Sequence, residues 1–106
     1  MIPRLGVAAM TIVMAAAAPP ARAGTVRIEV KGLAFLPHEV TAHVGDTIEW
    51  VNDDFVAHTA TARNKAWDVQ LPPHKSGSTV LSKTGTDEYF CRLHPNMTGR
   101  IIVEAR

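Results

Sequence analysis

The sequence predicts an all-β protein, a Greek-key β-sandwich or barrel of about six to eight strands. Apolar and polar residues alternate with a period of two in several short windows, which is the pattern of strands that bury one face. Gly, Pro or Asp residues separate these windows. After Ala23, no window keeps the 3.6-residue apolar period of an amphipathic helix. Short strands divided by turn signals favour a sandwich or a Greek-key barrel.

The first predicted strand begins just after residue 24. Val26, Ile28 and Val30 alternate with charged residues, which puts these three side chains on one face of a strand that ends at Gly32. A short apolar segment at 33–36 and alternating stretches at 40–44 and 47–52 follow, with Pro37 and the Gly45–Asp46 pair marking the turns.

The second half has weaker strand signals. The segment 63–77 is the least regular part, because it carries Trp67 and two prolines. Strand-like windows lie at 58–62, 67–71, 78–82, 88–92 and 99–105, with a turn at 83–86. The sequence has no internal repeat and gives no sign of a second domain.

Composition limits what the chain can be. Its 106 residues are enough for one small domain. The single cysteine, Cys91, excludes an intramolecular disulfide, so the core depends on aliphatic burial. A net charge of +1 with interspersed signs provides no basic stripe for a phosphate backbone. We therefore expect no nucleic-acid partner.

Residues 1–23 have the features of a secretory signal peptide. Arg4 precedes an apolar run at 6–18, which is shorter than the roughly 20 residues that span a membrane. Ala21 and Ala23 form a small-residue cleavage site before Gly24. The sequence thus predicts export to the periplasm, cleavage before Gly24, a mature domain at 24–106 and no stable membrane anchor. The mature chain would carry a net charge of −1, because the removed segment contains two arginines and no acidic residue.

One loop near the C-terminus collects three metal-binding side chains. Cys91, His94 and Met97 form a C-x2-H-x2-M pattern between the last two predicted strands. His58 lies 33 residues upstream of Cys91 and is a candidate fourth ligand from a neighbouring strand. Two imidazoles, one thiolate and a weak thioether are the ligands of a blue-copper electron-transfer site. Zinc fits less well, because it prefers closed tetrahedral nitrogen and sulfur sets.

Four segments carry a resemblance to a known family. They are FLP at 35–37, VGDTIEWVND at 44–53, HT at 58–59 and GTDEYFCRLHPNMTGRIIVE at 85–104. The chain resembles the cupredoxins, small blue copper proteins, and most closely the amicyanin, plastocyanin and pseudoazurin group. This resemblance implies one type 1 copper ion with His58, Cys91 and His94 as equatorial ligands and Met97 as the axial ligand.

Two residues depart from the pattern of that group. Thr59 stands where relatives usually have an Asn that ties the two ligand loops together, and Leu93 stands where amicyanin and plastocyanin have Pro. Unlike Pro, Leu93 has a backbone N–H. The resemblance leads us to expect that the N–H groups of Thr59 and Leu93 both donate hydrogen bonds to the Cys91 sulfur.

The resemblance also implies a function. We expect a periplasmic electron-transfer protein, not an enzyme, that cycles between Cu(II) and Cu(I). Its redox partners would be proteins such as a dehydrogenase or a c-type cytochrome, and the protein itself would be a monomer. Electrons would enter and leave through His94, which we expect to be exposed among apolar residues such as Val56, Leu93 and Pro95.

Other interpretations remain open at this point. The same ligands would suit a module for copper storage, delivery or resistance. Cys91 paired with a histidine would also suit a hydrolase or a redox-thiol enzyme, although the sequence offers no oxyanion loop. We expect His38, His43 and His74 to be surface residues.

Overall fold

The computed structural model describes Gly6 and residues 22–106. The predicted signal peptide therefore lies outside the described residues, apart from Gly6, Arg22 and Ala23, and its assignment stays a prediction. Among the described residues, no helix has the length and apolar character that crossing a lipid bilayer requires.

The described chain consists of strands and connecting loops, without a helix, which confirms the all-β prediction. The strands are β1 (Thr25–Lys31), β2 (Ala34–Leu36), β3 (Glu39–His43), β4 (Thr47–Asn52), β5 (His58–Ala62), β6 (Asp68–Leu71), β7 (Ser76–Val80), β8 (Gly85–Phe90) and β9 (Thr98–Glu104). They form one sheet in the order β2-β1-β4-β7 and a second in the order β3-β9-β8-β5-β6. The two sheets pack into a β-sandwich.

The observed strands differ from the predicted ones in number and in several boundaries, of which those of β7 and β8 shift most. Nine strands are present in the described residues, because the short β2 and β6 each pair with a neighbour. β7 lies two residues earlier than the predicted window at 78–82. β8 begins at Gly85 and not at residue 88, because its pairing with β9 starts with Gly85 opposite Val103. β8 also ends at Phe90, so Cys91 lies just beyond the strand.

The core lies between the two sheets and is built from alternating strand residues. Its members are Ile28, Val30, Phe35, Ala42, Ile48, Trp50, Ala60, Leu71, Leu81, Tyr89, Cys91, Met97, Ile101 and Val103. The Tyr89 ring packs at 4.7 Å from Phe35 and 5.6 Å from Trp50, measured between ring centroids. Tyr89 lies over Gly99, its partner on β9, where a Cβ atom would come within 2.3 Å of the ring. A side chain at residue 99 would therefore displace this aromatic cluster.

Sheet topology brings the two candidate ligand segments together. β5 and β8 are antiparallel neighbours, with Thr61 opposite Phe90. The start of β5, where His58 lies, is therefore beside the end of β8, where Cys91 follows. Residues 33 apart in sequence thus meet at one end of the sandwich.

Candidate metal centre

The loop from Cys91 to Met97 is held by its own backbone. The Cys91 N–H donates to the Met97 carbonyl at 3.0 Å, and the Met97 N–H donates to the His94 carbonyl at 2.9 Å. The His94 N–H donates to the Cys91 carbonyl at 3.3 Å. These bonds fold the loop into tight turns and carry the β8–β9 hairpin one pair beyond the ladder. The three predicted ligands of this loop are thereby held close together.

Three donor atoms meet at a single point. His58 Nδ1 lies 3.2 Å from His94 Nδ1, and Cys91 Sγ lies 3.8 Å and 3.7 Å from these two nitrogens. The three residues form a group whose ligand atoms all lie within 4.8 Å of one another, as a metal site requires. Cys91 and His58 are fully buried, His94 is half-buried, and Met97 is buried at the end of the same loop. The centre is therefore closed on all sides except that of His94.

Thr59 joins the two ligand segments. Its N–H donates to Cys91 Sγ at 3.3 Å, and its side-chain Oγ1 accepts a hydrogen bond from the Arg92 N–H at 2.9 Å. The hydroxyl thus makes the link between the loops that the resemblance assigns to an Asn in relatives. In the sequence Thr59 is only a departure from the family pattern, and this role is not evident there.

Leu93 is the other departure. Its side chain is 55% exposed. The Thr59 N–H donates a hydrogen bond to Cys91 Sγ. The hydrogen bond expected from Leu93 to the sulfur stays a prediction.

Asp54 fixes the buried histidine, and sequence analysis missed it. Its Oδ2 lies 2.8 Å from His58 Nε2, the ring nitrogen that faces away from Cys91. Asp54 also accepts hydrogen bonds from the N–H groups of Gly32 at 2.8 Å and Leu33 at 3.1 Å. A hydrogen bond at Nε2 sets the tautomer and orientation of a ligand imidazole and makes its other nitrogen a better donor to a metal. The sequence carries no local signal of this contact, because a four-residue spacing brings side chains together on a helix and not in a loop.

Asp54 is charged in this position. Burial raises the pKa of its carboxyl, but the Leu33 N–H, the His58 imidazole and the Gly32 N–H together hold that pKa below its ordinary value. The turn between β1 and β2 thus supports the metal centre through a single carboxylate.

The remaining histidines lie elsewhere. His38 is exposed on the surface, with its Nε2 3.5 Å from Thr98 Oγ1. His43 lies between Asp46 and Glu104 at the other end of β4 from the metal centre. His74 is exposed, and its ring packs edge-on against Phe55 at 5.0 Å between centroids. The structure therefore does not bring these three histidines into the metal centre.

The chemistry of the donor set fits copper. Two imidazole nitrogens and one sulfur surround the point, and a methionine completes the loop. This set matches the trigonal His2Cys site with a weak axial Met that copper prefers, and it contains no carboxylate ligand that would favour a harder ion. The buried thiol and the fixed His58 tautomer are also suited to metal ligation.

Comparison with known proteins agrees with the fold and the site. Residues 4–103 match the family model of the cupredoxin-like domain, and the chain belongs to this family. It is 31% identical over 97 residues to the amicyanin of Paracoccus versutus, covering 86% of this chain and 72% of that protein. It is 29% identical over 90 residues to amicyanin-alpha of Methylorubrum extorquens, covering 79% of this chain and 76% of the relative.

Solved amicyanin structures share the fold. The reduced state of one amicyanin mutant superimposes with a TM-score of 0.66 at 22% identity, covering 76% of this chain and 82% of that chain. An oxidized amicyanin mutant gives a TM-score of 0.68 at 21% identity, covering 74% of this chain and 81% of that chain. These likenesses confirm the predicted sandwich.

Family membership also confirms the predicted cofactor. Cupredoxins and amicyanins carry one type 1 copper, and His58, Cys91, His94 and Met97 are positioned as its ligands. Amicyanins are electron-transfer proteins and not enzymes, in agreement with the prediction for this chain.

Proposed function

We propose that this protein is an exported one-electron carrier of the periplasm that cycles between Cu(II) and Cu(I) at the centre described above. The observation that carries the proposal is the meeting of the two Nδ1 atoms and Cys91 Sγ within 4.8 Å at the end of the sandwich. A bound copper ion supplies the one-electron couple. The protein supplies the ligand frame and the path to the surface.

The frame resists movement on the buried side. His58 is held at Nε2 by Asp54, and Cys91 Sγ is held by the Thr59 N–H. His58 is also the first residue of β5, and Cys91 directly follows β8, the strand that pairs with β5. Ligands that move little between oxidation states keep the reorganisation energy of electron transfer low, so a stiff frame suits an electron carrier.

The half-buried His94 provides the path to a partner. Leu33, Phe55, Val56 and Leu93 line surface depressions that include His94, and we call these four side chains the apolar rim. Phe55 is 88% exposed. A redox protein, such as a dehydrogenase or a c-type cytochrome, would bind against this rim and exchange electrons through the His94 ring. The protein itself would act as a monomer.

Export is supported by the sequence of residues 1–23. The apolar run at 6–18 and the small residues Ala21 and Ala23 favour cleavage before Gly24. Every strand of the described fold begins at or after Thr25, so cleavage there would leave the sandwich whole.

The visible and EPR spectra of the copper-loaded protein test the proposed redox role. A thiolate ligand to Cu(II) in such a site is expected to give an intense blue absorption. Cys91→Ala removes the thiolate and is the matched control, since it should bind copper without the blue band. A wild-type protein that holds only Cu(I) and stays colourless on oxidation would contradict the proposal and indicate copper storage or delivery.

A further inference from the structure

Asp46 forms a separate polar cluster at the opposite end of β4 from the metal centre. Asp46 is only 6% exposed and lies in the turn that connects β3 and β4. Asp46 Oδ1 accepts a hydrogen bond from the Gly24 N–H at 2.9 Å and also pairs with the guanidinium of Arg106. Asp46 Oδ2 accepts a hydrogen bond from the His43 N–H at 2.8 Å.

Strand pairing fixes the position of the Gly24 nitrogen. β1 is parallel to β4 with Thr25 opposite Thr47, so Gly24 lies beside Asp46. The Thr47 N–H also donates to the Gly24 carbonyl at 2.9 Å. Both polar backbone atoms of Gly24 are therefore held by the start of β4.

We propose that Asp46 is the receptor for the amino terminus that cleavage before Gly24 creates, and that this ion pair fastens β1 to β4 in the exported protein. The inference rests on the proposed export. Hydrolysis of the Ala23–Gly24 bond consumes one water, leaves a carboxylate on Ala23 and converts the Gly24 amide into a protonated amine. The new ammonium lies where the amide N–H already meets Asp46 Oδ1.

Cleavage replaces the neutral amide donor with a cationic ammonium, so the hydrogen bond to the Asp46 carboxylate becomes an ion pair. It also removes Arg22, whose carbonyl accepts a hydrogen bond from Arg106 Nη1 at 2.7 Å in the uncleaved chain. The hydrogen bonds from Gly24 and His43 lower the pKa of Asp46 despite its burial, with a further contribution from the Arg106 charge. The receptor is therefore an anion at neutral pH.

Several charged groups surround the site after cleavage. The Gly24 ammonium and Arg106 are cations, while Asp46 and Glu104 are anions. His43 lies between the two acids, with its ring nitrogens 3.8 Å from Asp46 Oδ2 and 3.6 Å from Glu104 Oε2. An ammonium in this position shares Asp46 Oδ1 with the guanidinium of Arg106, so the two cations have one carboxylate oxygen in common.

The titration of the amino terminus tests the proposal. Two copper-loaded proteins are made from fusions whose protease leaves either Gly24 or Ala23 as the first residue, and each contains all nine described strands. The α-amino pKa of the Gly24-first protein, followed by NMR, should lie above the usual range of about 7.7–8.0. The Ala23-first protein keeps an ammonium but moves it by one residue, so its α-amino group should titrate in that range. Equal titration of the two groups would overturn the proposal.

Thermal unfolding provides an independent measurement. At pH 7 the Gly24-first protein should melt higher than the Ala23-first protein, and Asp46→Asn should abolish the difference. A raised pKa of an amine gives stability that is full below the pKa of the unfolded state and is lost as pH rises through that of the folded state. The difference should therefore close in alkali. Equal melting temperatures at pH 7 would contradict the proposal, and the titration above still decides it if Asp46→Asn does not fold.

Two further readouts separate this proposal from the proposed function. The intact mass of the protein exported from cells that express the full chain should correspond to residues 24–106, and another first residue would overturn the amino-terminal role. The copper spectrum should be the same in both proteins, because Asp46 and the metal centre lie at opposite ends of β4. A raised α-amino pKa in a protein without a blue band would support the receptor and contradict electron transfer.

Discussion

The two histidines of the metal centre are held in opposite ways. His58 begins a paired strand, is fully buried and has its second ring nitrogen bound by Asp54. His94 lies in a turn, is half-buried and is bordered by the apolar rim. We call the side formed by His58 and Asp54 the fixed wall. The other side, formed by His94 and the apolar rim, is a contact surface. The difference shows how one site combines a stiff frame with access for a partner.

The test with the largest expected effect replaces each histidine with glycine in turn and adds free imidazole. His94→Gly should lose the blue band and regain it with imidazole, because the vacated position is open to solvent. His58→Gly should lose the band and not regain it, because that position is enclosed by protein. Visible absorption during an imidazole titration gives the result. Equal rescue of both variants would remove the distinction between wall and contact surface.

Removal of the metal should have the next largest effect, since the centre joins the fixed wall to the loop. A ligand that binds only the folded state stabilises it by about 4 kcal/mol at a thousandfold excess over its Kd. We therefore expect the apo protein to melt lower than the copper-loaded protein in calorimetry. Matching melting temperatures, in samples whose copper content is verified, would show that the centre does not stabilise the fold.

The wall itself is tested by Asp54→Asn. Loss of a hydrogen-bond partner of a ligand histidine typically lowers metal affinity by about 10–100-fold. The reduction potential should also rise, because a less basic His58 stabilises Cu(II) less. Asp53→Asn, at the exposed neighbouring position, is the matched control and should change neither quantity. An unchanged potential in Asp54→Asn would show that the carboxylate only supports the loop.

The Asp54 carboxylate should make the stability of the apo protein depend on pH. The folded-state pKa of Asp54 is lowered, so its charge contributes stability above the unfolded value of about 3.9, and this contribution is lost as pH falls through the folded value. Apo Asp54→Asn should consequently lose less stability than the apo wild type on acidification below about pH 4. Urea unfolding at several pH values measures this, and parallel losses in the two proteins would argue against it.

The link between the wall and the loop is tested by Thr59→Val, which removes the hydroxyl that the Arg92 N–H binds. A lost hydrogen bond of this kind costs about 0.5–1.5 kcal/mol. Thr59→Ser keeps the acceptor and should retain most of the stability. Chemical denaturation of the copper-loaded proteins gives the comparison, and a Thr59→Val protein as stable as the wild type would show that the hydroxyl link does not stabilise the fold.

The smallest expected effect concerns the loop side. If the Leu93 N–H donates to the Cys91 sulfur in the copper-loaded protein, it withdraws electron density from the thiolate and favours Cu(I). Leu93→Pro removes this N–H and should lower the potential while the protein stays blue. Voltammetry of the two proteins decides the matter, with Leu93→Ala as the control that keeps the N–H. A potential that is unchanged or raised would show that Leu93 donates no such bond.

The sequence identified the ligands more readily than their supports. Cys91, His94 and Met97 stand at fixed spacings in one short loop, and His58 has the right residue type on a neighbouring strand. Asp54 stands beside Asp53 in the loop before β5, and nothing in that pair of acidic residues marks one of them as the partner of His58. Its contact with Gly32 and Leu33 depends on the pairing of β1 with β4, which local sequence does not specify.

The pairing of the strands also could not be predicted from the local sequence pattern. Alternation of apolar residues predicts a strand with one buried face, whether its neighbour runs parallel or antiparallel. β3 pairs in parallel with β9, and the chain contains nothing near residues 39–43 that distinguishes this from a hairpin. The early start of β8 has the same cause, since its first residues are exposed and are recruited only by β9.

The hydrogen bond from Cys91 to Met97 has a consequence for chain entropy. It closes the ligand loop as the end of the β8–β9 hairpin, so the residues inside are anchored at both ends by the sheet. For a flexible loop closed in this way, doubling the length costs only about 0.6 kcal/mol. Insertions between Cys91 and Met97 should therefore be tolerated by the fold far better than by the metal. The shortness of this loop reflects the geometry that its ligands must satisfy, and not the stability of the sandwich that carries them.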